Sequence, residues 1–235
     1  MSHLEDQLTQ LLIHKGASLV GFADLSMLPE EPRKDMDCAV WIAVALDPNV
    51  VGDIIGGPTK FYEIEYRQKN HLLVELCREA VKVLRGWGFE AIPRAPTDED
   101  IDWIDLKTPL PHKTVATRAG MGWIGKCGLL VTKEYGSAIR MAVVLTDASL
   151  DGDKVPVGVS YCGDCEECVK HCPAKAPKGE DWFKGSDRDD YYDAFACHEH
   201  ILQVTKKKGI QAKICGVCIA VCPYTRKYVK KALSP

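Results

Sequence analysis

The stretch CGDCEECVKHCP at residues 162–173 decides how the last third of this chain folds. Its cysteines follow the Cys-x2-Cys-x2-Cys-x3-Cys-Pro spacing of bacterial ferredoxins, in which the fourth cysteine of a run ligates the other of two [4Fe–4S] clusters. A second run, CGVCIAVCP at residues 215–223, repeats this spacing but has Ala212 where its first cysteine would stand. The two runs together predict a module that holds two [4Fe–4S] clusters.

Ala212 leaves one cluster short of a ligand, because each cluster is held by four protein ligands. Cys197 is the only cysteine between the two runs. We therefore assign one cluster to Cys162, Cys165, Cys168 and Cys222. We assign the other cluster to Cys172, Cys197, Cys215 and Cys218. Cys38 and Cys77 fall in a predicted strand and a predicted helix, and we expect both in the core.

Other uses of these cysteines explain the sequence less well. A disulfide framework belongs to oxidising compartments, and the sequence shows no secretory or twin-Arg leader and no long apolar span. Zinc binds paired Cys-x2-Cys motifs, but it does not explain three cysteines in one tight run followed by a crossing Cys-Pro. We expect a cytoplasmic, oxygen-sensitive (anaerobic) protein with no membrane partner.

Charge is distributed unevenly along the chain. The net charge is −3, which gives no case for nucleic acid as a general partner. Residues 201–235 nevertheless contain no acidic residue, and their eight basic residues are Lys206, Lys207, Lys208, Lys213, Arg226, Lys227, Lys230 and Lys231. This segment either offsets the negative charge of the cluster thiolates or docks an acidic electron donor or polyanion.

The first 150 residues have the pattern of a mixed α/β domain. Residues 4–12 carry leucines at helical spacing, and the apolar run at residues 38–46 indicates a central strand covered on both faces. A long helix is predicted from Pro58 to Arg85, with a buried stripe of Phe61, Ile64, Leu72, Leu76, Ala80 and Val83. We predict a boundary in the Gly/Asp/Pro-rich residues 147–159, which separates domains 1–150 and 151–235.

A Gly-x-Gly-x-x-Gly string at residues 120–125 resembles a dinucleotide fingerprint but lies in the wrong context. That fingerprint follows a strand and opens a helix, whereas here the predicted helix at residues 112–119 comes first and a strand at residues 128–132 follows. The glycines allow the backbone to approach a bulky group closely. The alternative is a tight helix-to-strand turn with Trp123 in the core.

Residues 112–147, HKTVATRAGMGWIGKCGLLVTKEYGSAIRMAVVLTD, followed by the two cysteine runs, resemble the epoxyqueuosine reductases. These are cobalamin-dependent iron–sulfur enzymes related to the reductive dehalogenases. The resemblance is close over residues 112–225 and looser over residues 17–95. It implies an α/β (α+β) fold, in which a nitroreductase-like domain that binds a base-off cobalamin is followed by a double [4Fe–4S] ferredoxin-like domain. Electrons would pass between the clusters and then to cobalt.

The resemblance also implies which residues would contact the corrinoid: His112, Gly120, Met121, Gly122, Trp123, Ile124, Gly125, Lys126, Cys127, Tyr135, Gly136 and Ser137. Cys127 is either a thiol facing the corrin or an inert buried cysteine. His112 is either part of a proton relay or an ordinary helix-start residue. Asp105, in the acidic stretch at residues 97–105, is either a general acid or a solvated loop carboxylate.

Several functions fit this pattern. The first is an oxidoreductase that reduces a small molecule through cobalt, and the second reduces a corrinoid itself. Either would receive electrons from a low-potential ferredoxin- or flavodoxin-type donor. A third possibility is an electron-transfer protein of ferredoxin type with a docking domain and no corrinoid. We do not expect a tRNA substrate, because the tRNA-modifying enzymes carry a further helical-repeat region and this sequence stops at Pro235.

Overall fold

The computed structural model describes residues 2–97, 100–150, 152 and 154–234. The helices are α1 (His3–His14), α2 (Glu30–Arg33), α3 (Pro48–Gly52), α4 (Lys60–Gly86), α5 (His112–Arg118), α6 (Glu167–His171), α7 (Arg188–Tyr191), α8 (Ala194–Lys208), α9 (Val217–Val221) and α10 (Pro223–Leu233). The strands are β1 (Leu19–Asp24), β2 (Cys38–Ala45), β3 (Ala91–Arg94), β4 (Trp123–Ile124), β5 (Leu130–Val131) and β6 (Ile139–Thr146). Residues 98 and 99 of the acidic stretch, and 151 and 153 of the predicted boundary, lie outside the described residues.

The main sheet has the strand order β1-β2-β6-β3. β1 pairs antiparallel with β2, with Leu19 opposite Ala43, and β3 pairs antiparallel with β6. β2 is an inner strand, and all of its residues except the last are buried. This confirms the central strand, because a strand covered on both faces is apolar throughout rather than alternating.

The chain divides into two compact units. The first contains the described residues of Met1–Ala45, Gln68–Met121 and Arg140–Val157. The second contains those of Leu46–Arg67, Gly122–Ile139 and Gly158–Pro235. The division into domains 1–150 and 151–235 stays a prediction. The second unit contains Leu46–Arg67 and Gly122–Ile139 in addition to the cysteine-rich region.

The core of the first unit lies between the sheet, α1 and the second half of α4. Leu8 and Leu12 of α1 and Leu76 and Ala80 of α4 are buried there, as their helical spacing predicts. Gly16 ends the first helix segment with a φ of +106°, a conformation that costs glycine little. Among the described helices, none is long and apolar enough to cross a membrane.

The predicted buried stripe of α4 is wrong at its N-terminal end. Phe61 and Ile64 are 70% and 52% exposed, whereas Glu63 and Glu65 are buried. Both carboxylates are buried because backbone amides donate hydrogen bonds to them: Ala212 to Glu63 at 3.0 Å, and Asp47 to Glu65 at 2.8 Å. Buried carboxylates are tolerated where such partners compensate the loss of water. The periodicity of apolar residues does not predict these hydrogen bonds.

The glycine-rich segment follows a helix and leads into a strand, as predicted. α5 ends at Arg118, Gly120 takes a φ of +65°, and β4 pairs antiparallel with β5 through Trp123 opposite Val131. A phosphate-binding turn requires the opposite order, with a helix N-terminus after the glycines. The structure therefore agrees with the exclusion of a dinucleotide fingerprint.

Candidate iron–sulfur site

A cavity of about 170 Å³ in the second unit lies beside the two cysteine runs. Its wall contains all four thiols predicted for one cluster, together with two further thiols. The six are Cys162, Cys165, Cys168, Cys222, Cys127 and Cys218. Thiolate ligands from both runs converging on one cavity are what a [4Fe–4S] cluster requires, so the donor set fits that group.

Turns and helix ends fix the backbone positions of the cysteines in the two runs. A turn closes around the first ligands, where the Cys165 amide donates to the Cys162 carbonyl at 3.1 Å. Cys222 ends α9 and also precedes α10, which begins at Pro223. Proline is suited to the first helical position because it lacks the amide hydrogen that would have no partner there. Cys222, the last thiol predicted for the first cluster, is therefore fixed between two helices.

The thiols predicted for the second cluster are also neighbours. Burial, and the nearby charges of Cys172 and Cys215, raise the pKa of the Cys197 thiol on α8. Burial likewise raises the pKa of Cys215, which lies near Cys172. Cys218 lies near Cys197 and Cys215. The thiols predicted for the second cluster, including Cys197, therefore lie close to one another. The assignment of each thiolate to a cluster stays a prediction.

Lys126 places a positive charge at the wall of the cavity. The residue is only 7% exposed, and its Nζ donates to the Gly163 carbonyl within the first cysteine run at 2.8 Å. A buried ammonium next to several thiolates compensates part of their negative charge. Lys126 thus contacts the cluster-binding loop, while its predicted contact with a corrinoid stays a prediction.

Cys127 lies in the wall of the same cavity. It is buried, and the thiols of Cys168 and Cys218 hydrogen-bond to its sulfur. These hydrogen bonds hold the pKa of Cys127 well below its usual range, and the same contact raises the pKa of Cys168 and Cys218. The sequence offered a corrin-facing thiol or an inert buried one; the residue is buried, and its predicted contact with a corrinoid stays a prediction.

Aromatic rings cover one side of the same region. Trp123 is 1% exposed, and its ring meets Tyr161 and Tyr224 edge-on at centroid distances of 5.2 and 4.9 Å. Both tyrosines line the cavity. They directly flank the cysteine runs in the sequence, and this position is the sequence signal by which they could have been found. Of these rings Trp123 is buried whereas Tyr161 is half exposed, so Trp123 is the ring that excludes water here, which strengthens nearby electrostatic interactions.

The segment Tyr135-Gly136-Ser137 packs against α10. The Ser137 amide donates to Thr225 Oγ1 at 3.0 Å, and the Tyr135 ring lies edge-on to Tyr228. The Ser137 hydroxyl is buried beside Cys127, yet it has no partner in hydrogen-bond geometry among the described residues. The predicted proximity of these residues to a corrinoid stays a prediction.

The remaining predicted residues belong to the first unit. Asp105 is exposed, and its amide donates to Asp102 Oδ1 at 3.3 Å. This agrees with the solvated-loop alternative, and a catalytic role for Asp105 stays a prediction. His112 Nε2 lies 2.6 Å from the Ala95 carbonyl, a contact in which the ring donates. Met121 Sδ lies 3.3 Å from Lys154 Nζ.

Comparison with known proteins identifies the cysteine-rich region. Residues 161–225 match the family model described as a 4Fe–4S double cluster binding domain. The chain carries a double-cluster domain. This match confirms the prediction of two [4Fe–4S] clusters. The position of the double-cluster domain after a mixed α/β region also agrees with the predicted fold class.

Curated relatives confirm the resemblance beyond the double-cluster domain. An epoxyqueuosine reductase of Synechocystis sp. is 28% identical over 152 residues, which cover 64% of this chain and 50% of the relative. The tetrachloroethene reductive dehalogenase of Sulfurospirillum multivorans is 31% identical over 114 residues, which cover 47% of this chain and 23% of the relative. The chain therefore spans half or less of the length of these relatives.

Solved structures share the fold over nearly the whole chain. A reductive dehalogenase whose structure suggests a mechanism for B12-dependent dehalogenation has a TM-score of 0.68 at 17% identity, covering 97% of this chain and 34% of that one. Epoxyqueuosine reductase with an epoxyqueuosine-modified tRNA stem loop has a TM-score of 0.63 at 18% identity, covering 95% and 66%. The protein is thus an iron–sulfur protein related to two families of redox enzymes.

Proposed function

We propose that this protein passes low-potential electrons through two [4Fe–4S] clusters to a base-off cobalamin, for the reduction of a small molecule or of a corrinoid. The observation that carries the electron-transfer part is the cavity whose wall contains Cys162, Cys165, Cys168 and Cys222. When bound there, a [4Fe–4S] cluster exchanges one electron at a time at a potential that its surroundings set.

The residues around the cavity have defined tasks in this proposal. The thiolates hold iron, and Lys126 compensates negative charge at the loop of residues 162–168. Gly125 allows its backbone to lie close to Val131 and Cys162, because an added Cβ there would be 2.9 Å from Val131 Cγ2 and 3.4 Å from Cys162 Sγ. The buried Trp123 keeps water from this side, and the two tyrosines pack edge-on against it.

The corrinoid part of the proposal draws its support from the relatives, above all from the B12-dependent dehalogenase with the same fold. The glycines of the segment at residues 120–125 do not add to it. A Cβ at Gly120 would lie 2.6 Å from Lys154 Cβ, and one at Gly122 would collide with the Val131 carbonyl. Packing of the chain against itself therefore explains these glycines.

An anaerobic titration tests both parts. Reconstituted protein should contain about eight irons and eight sulfides. Addition of cobalamin should then give a base-off cobalt spectrum in a one-to-one complex. Full iron content with no change in the cobalt spectrum, even with excess cobalamin, would overturn the corrinoid part. The function would then be electron transfer without a corrinoid. Iron content near zero would overturn the proposal as a whole.

A second candidate is reduction of epoxyqueuosine in tRNA. It is favoured by the matches to curated epoxyqueuosine reductases, including one from Lactococcus garvieae at 35% identity over 48% of this chain. Incubation with an epoxyqueuosine-containing stem loop, cobalamin and a low-potential reductant should yield queuosine if this candidate is correct. A loaded protein that binds cobalamin but leaves the stem loop unbound and unchanged would exclude it.

The electron donor that we propose is an acidic ferredoxin- or flavodoxin-type protein. Seven basic residues at the end of α8 and along α10 are exposed: Lys206, Lys207, Lys208, Arg226, Lys227, Lys230 and Lys231. α10 begins directly after the ligand Cys222, so a donor held there would lie near the first cluster. Electron transfer should slow steeply as salt rises, and a rate independent of salt would argue against this surface.

A further inference from the structure

The first turns of α4 carry two large apolar side chains that face solvent in the second unit. Phe61 is 70% exposed and Ile64 is 52% exposed. They stand three positions apart on the helix, so their side chains are neighbours on one face. Single exposed apolar residues are ordinary on a protein surface, whereas adjacent ones that are rimmed by polar residues are typical of interaction sites. The residues around this pair therefore decide what it binds.

Basic side chains surround the apolar pair. Lys60 and Arg67 flank it on α4. The end of α8 packs against the same segment, because Lys208 Nζ donates to the Pro58 carbonyl at 3.1 Å. Lys60 Nζ also donates to the carbonyl of Gly209, which follows α8. The exposed basic residues that these contacts bring together are Lys60, Arg67, Lys206, Lys207 and Lys208.

The charge that this region presents to a partner is positive. Lys60 and Arg67 each pair with Glu63 at 3.1 Å, but the Glu63 side chain is only 8% exposed. The lysines that end α8 belong to residues 201–235, which contain no aspartate or glutamate. A partner that covers Phe61 and Ile64 would therefore meet ammonium and guanidinium groups at the rim, and acidic groups on the partner would complement them.

The same segment of the chain also contacts the second cysteine run. Gly216 lies between Cys215 and Cys218 and takes a φ of +93°. A Cβ added there would lie 2.6 Å from Ile54 Cδ1 and 3.0 Å from Tyr62 Cε1. Tyr62 is buried and directly follows the exposed Phe61 in α4. A partner seated on the apolar pair would therefore lie beside the loop that carries two predicted cluster ligands.

We propose that Phe61 and Ile64, together with the basic residues around them, form the docking surface for an acidic electron-transfer protein of ferredoxin or flavodoxin type. The inference rests on the electron-transfer function and the acidic donor proposed above, and it narrows the place of docking to the start of α4 and the end of α8. An apolar centre with a polar rim is the composition of protein–protein interfaces, and aromatic residues carry much of their binding energy. Nucleic-acid interfaces are much more positively charged, and the net charge of this chain is −3.

Anaerobic stopped-flow kinetics with an acidic flavodoxin test the proposal on the reconstituted full chain. The flavin hydroquinone anion gives one electron to an oxidised cluster and becomes the neutral semiquinone, so no proton is transferred and the flavin absorbance reports the step. Combined Phe61→Ala and Ile64→Ala substitutions should raise the flavodoxin concentration for half-maximal rate about tenfold. Reduction of the same variant by dithionite should stay unchanged, since a small reductant needs no docking surface. Phe183→Ala is the matched control, because Phe183 is 56% exposed elsewhere in the second unit.

Charge variants test the rim of the surface separately. Lys207→Glu should slow electron transfer from flavodoxin several-fold at low salt and weaken its salt dependence, because charges at a rim steer the encounter of two proteins. Lys184→Glu reverses one exposed charge away from the surface and should have a much smaller effect. Equal effects of the two variants would overturn the proposed rim, since the net charge of the chain would then be the only factor.

The outcomes separate this inference from the proposed function. Unchanged transfer from flavodoxin to the Phe61 and Ile64 variant, with full iron, would overturn the docking surface and leave α10 as the place of docking. Clusters that neither flavodoxin nor dithionite reduces would overturn the proposed function as well. Loss of binding to an RNA stem loop, or of a homodimer, with unchanged electron transfer would assign the surface to that partner and overturn the inference. If the double variant loses iron, Ile64→Glu alone serves, since it retains Phe61 and places a like charge opposite the acidic donor. Unchanged transfer in Ile64→Glu would also overturn the inference.

Discussion

Glu63 Oε1 lies 3.0 Å from the backbone nitrogen of Ala212, the residue that occupies the missing ligand position of the second cysteine run. The same oxygen accepts from the Gln211 amide at 2.8 Å, and Lys60 and Arg67 pair with the carboxylate at 3.1 Å. A charged acceptor from α4 therefore holds the backbone at the point where a cysteine would otherwise be held by iron.

Glu63→Gln should loosen this segment. The amide retains an oxygen acceptor but loses the charge, and hydrogen bonds to charged groups are the stronger ones. We expect iron of the second cluster to be lost several-fold faster to a chelator, while the first cluster is unaffected. Cluster-resolved electron paramagnetic resonance during chelation measures this. Glu75→Gln is the matched control, because Glu75 lies on the same helix in an exposed pair with Arg78. Equal chelation rates in both variants would count against the role of Glu63.

Cys197→Ala should remove or convert only one cluster. Cys197 lies near Cys172 and Cys215 and not in the wall of the cavity that contains Cys162. Its loss takes one of four ligands from the second cluster, so the iron content should fall to about half or the cluster should become [3Fe–4S]. Iron analysis and resonance spectra decide between these results. Two unchanged clusters would mean that the ligand sets are wrong.

Gly136→Ala should destabilise the protein strongly. Gly136 has a φ of +58°, and an added Cβ would collide with the backbone nitrogen of Thr225. A non-glycine residue in this conformation costs about 1–3 kcal/mol, and the collision adds to that cost. Gly209→Ala is the matched control, with a φ of +64° and open space around its Cβ. Denaturant unfolding of the two variants separates backbone strain from the collision. A smaller loss at Gly136 than at Gly209 would contradict the close packing.

Lys126→Met should lower the potential of the first cluster. The buried ammonium stabilises an additional electron in its neighbourhood, because opposite charges attract strongly where water is excluded. We expect a downward shift of about three- to tenfold in the reduction equilibrium. Lys133→Met removes an exposed ammonium from the same region and should shift it far less, since exposed charges are screened. Potentiometry of the two variants measures the difference, and equal shifts would refute the local effect of Lys126.

Features that depend on the spacing of residues close together in the chain could be predicted from the sequence. The two cysteine runs, the apolar β2 and the helix before the glycines all have such signals. Cys197 could be inferred because Ala212 breaks a fixed register. Glu63 could not, because the hydrogen bonds that it accepts come from residues far away in the chain. Ala212 lies 3.0 Å from Glu63 although the two are separated by 149 positions, and periodicity carries no information about such a contact.

The exchange of ligands between the two runs also bears on how the chain behaves when it is cut. Residues 173–196 separate Cys172 from Cys197, and Lys184 within them is exposed. On the proposed ligand sets, both clusters have ligands on each side of that segment. A protease nick at Lys184 would leave two fragments that iron still holds together, and only a chelator would release them. On these proposed ligand sets, the clusters would link the two parts of the polypeptide as disulfides do elsewhere, but only while iron is bound.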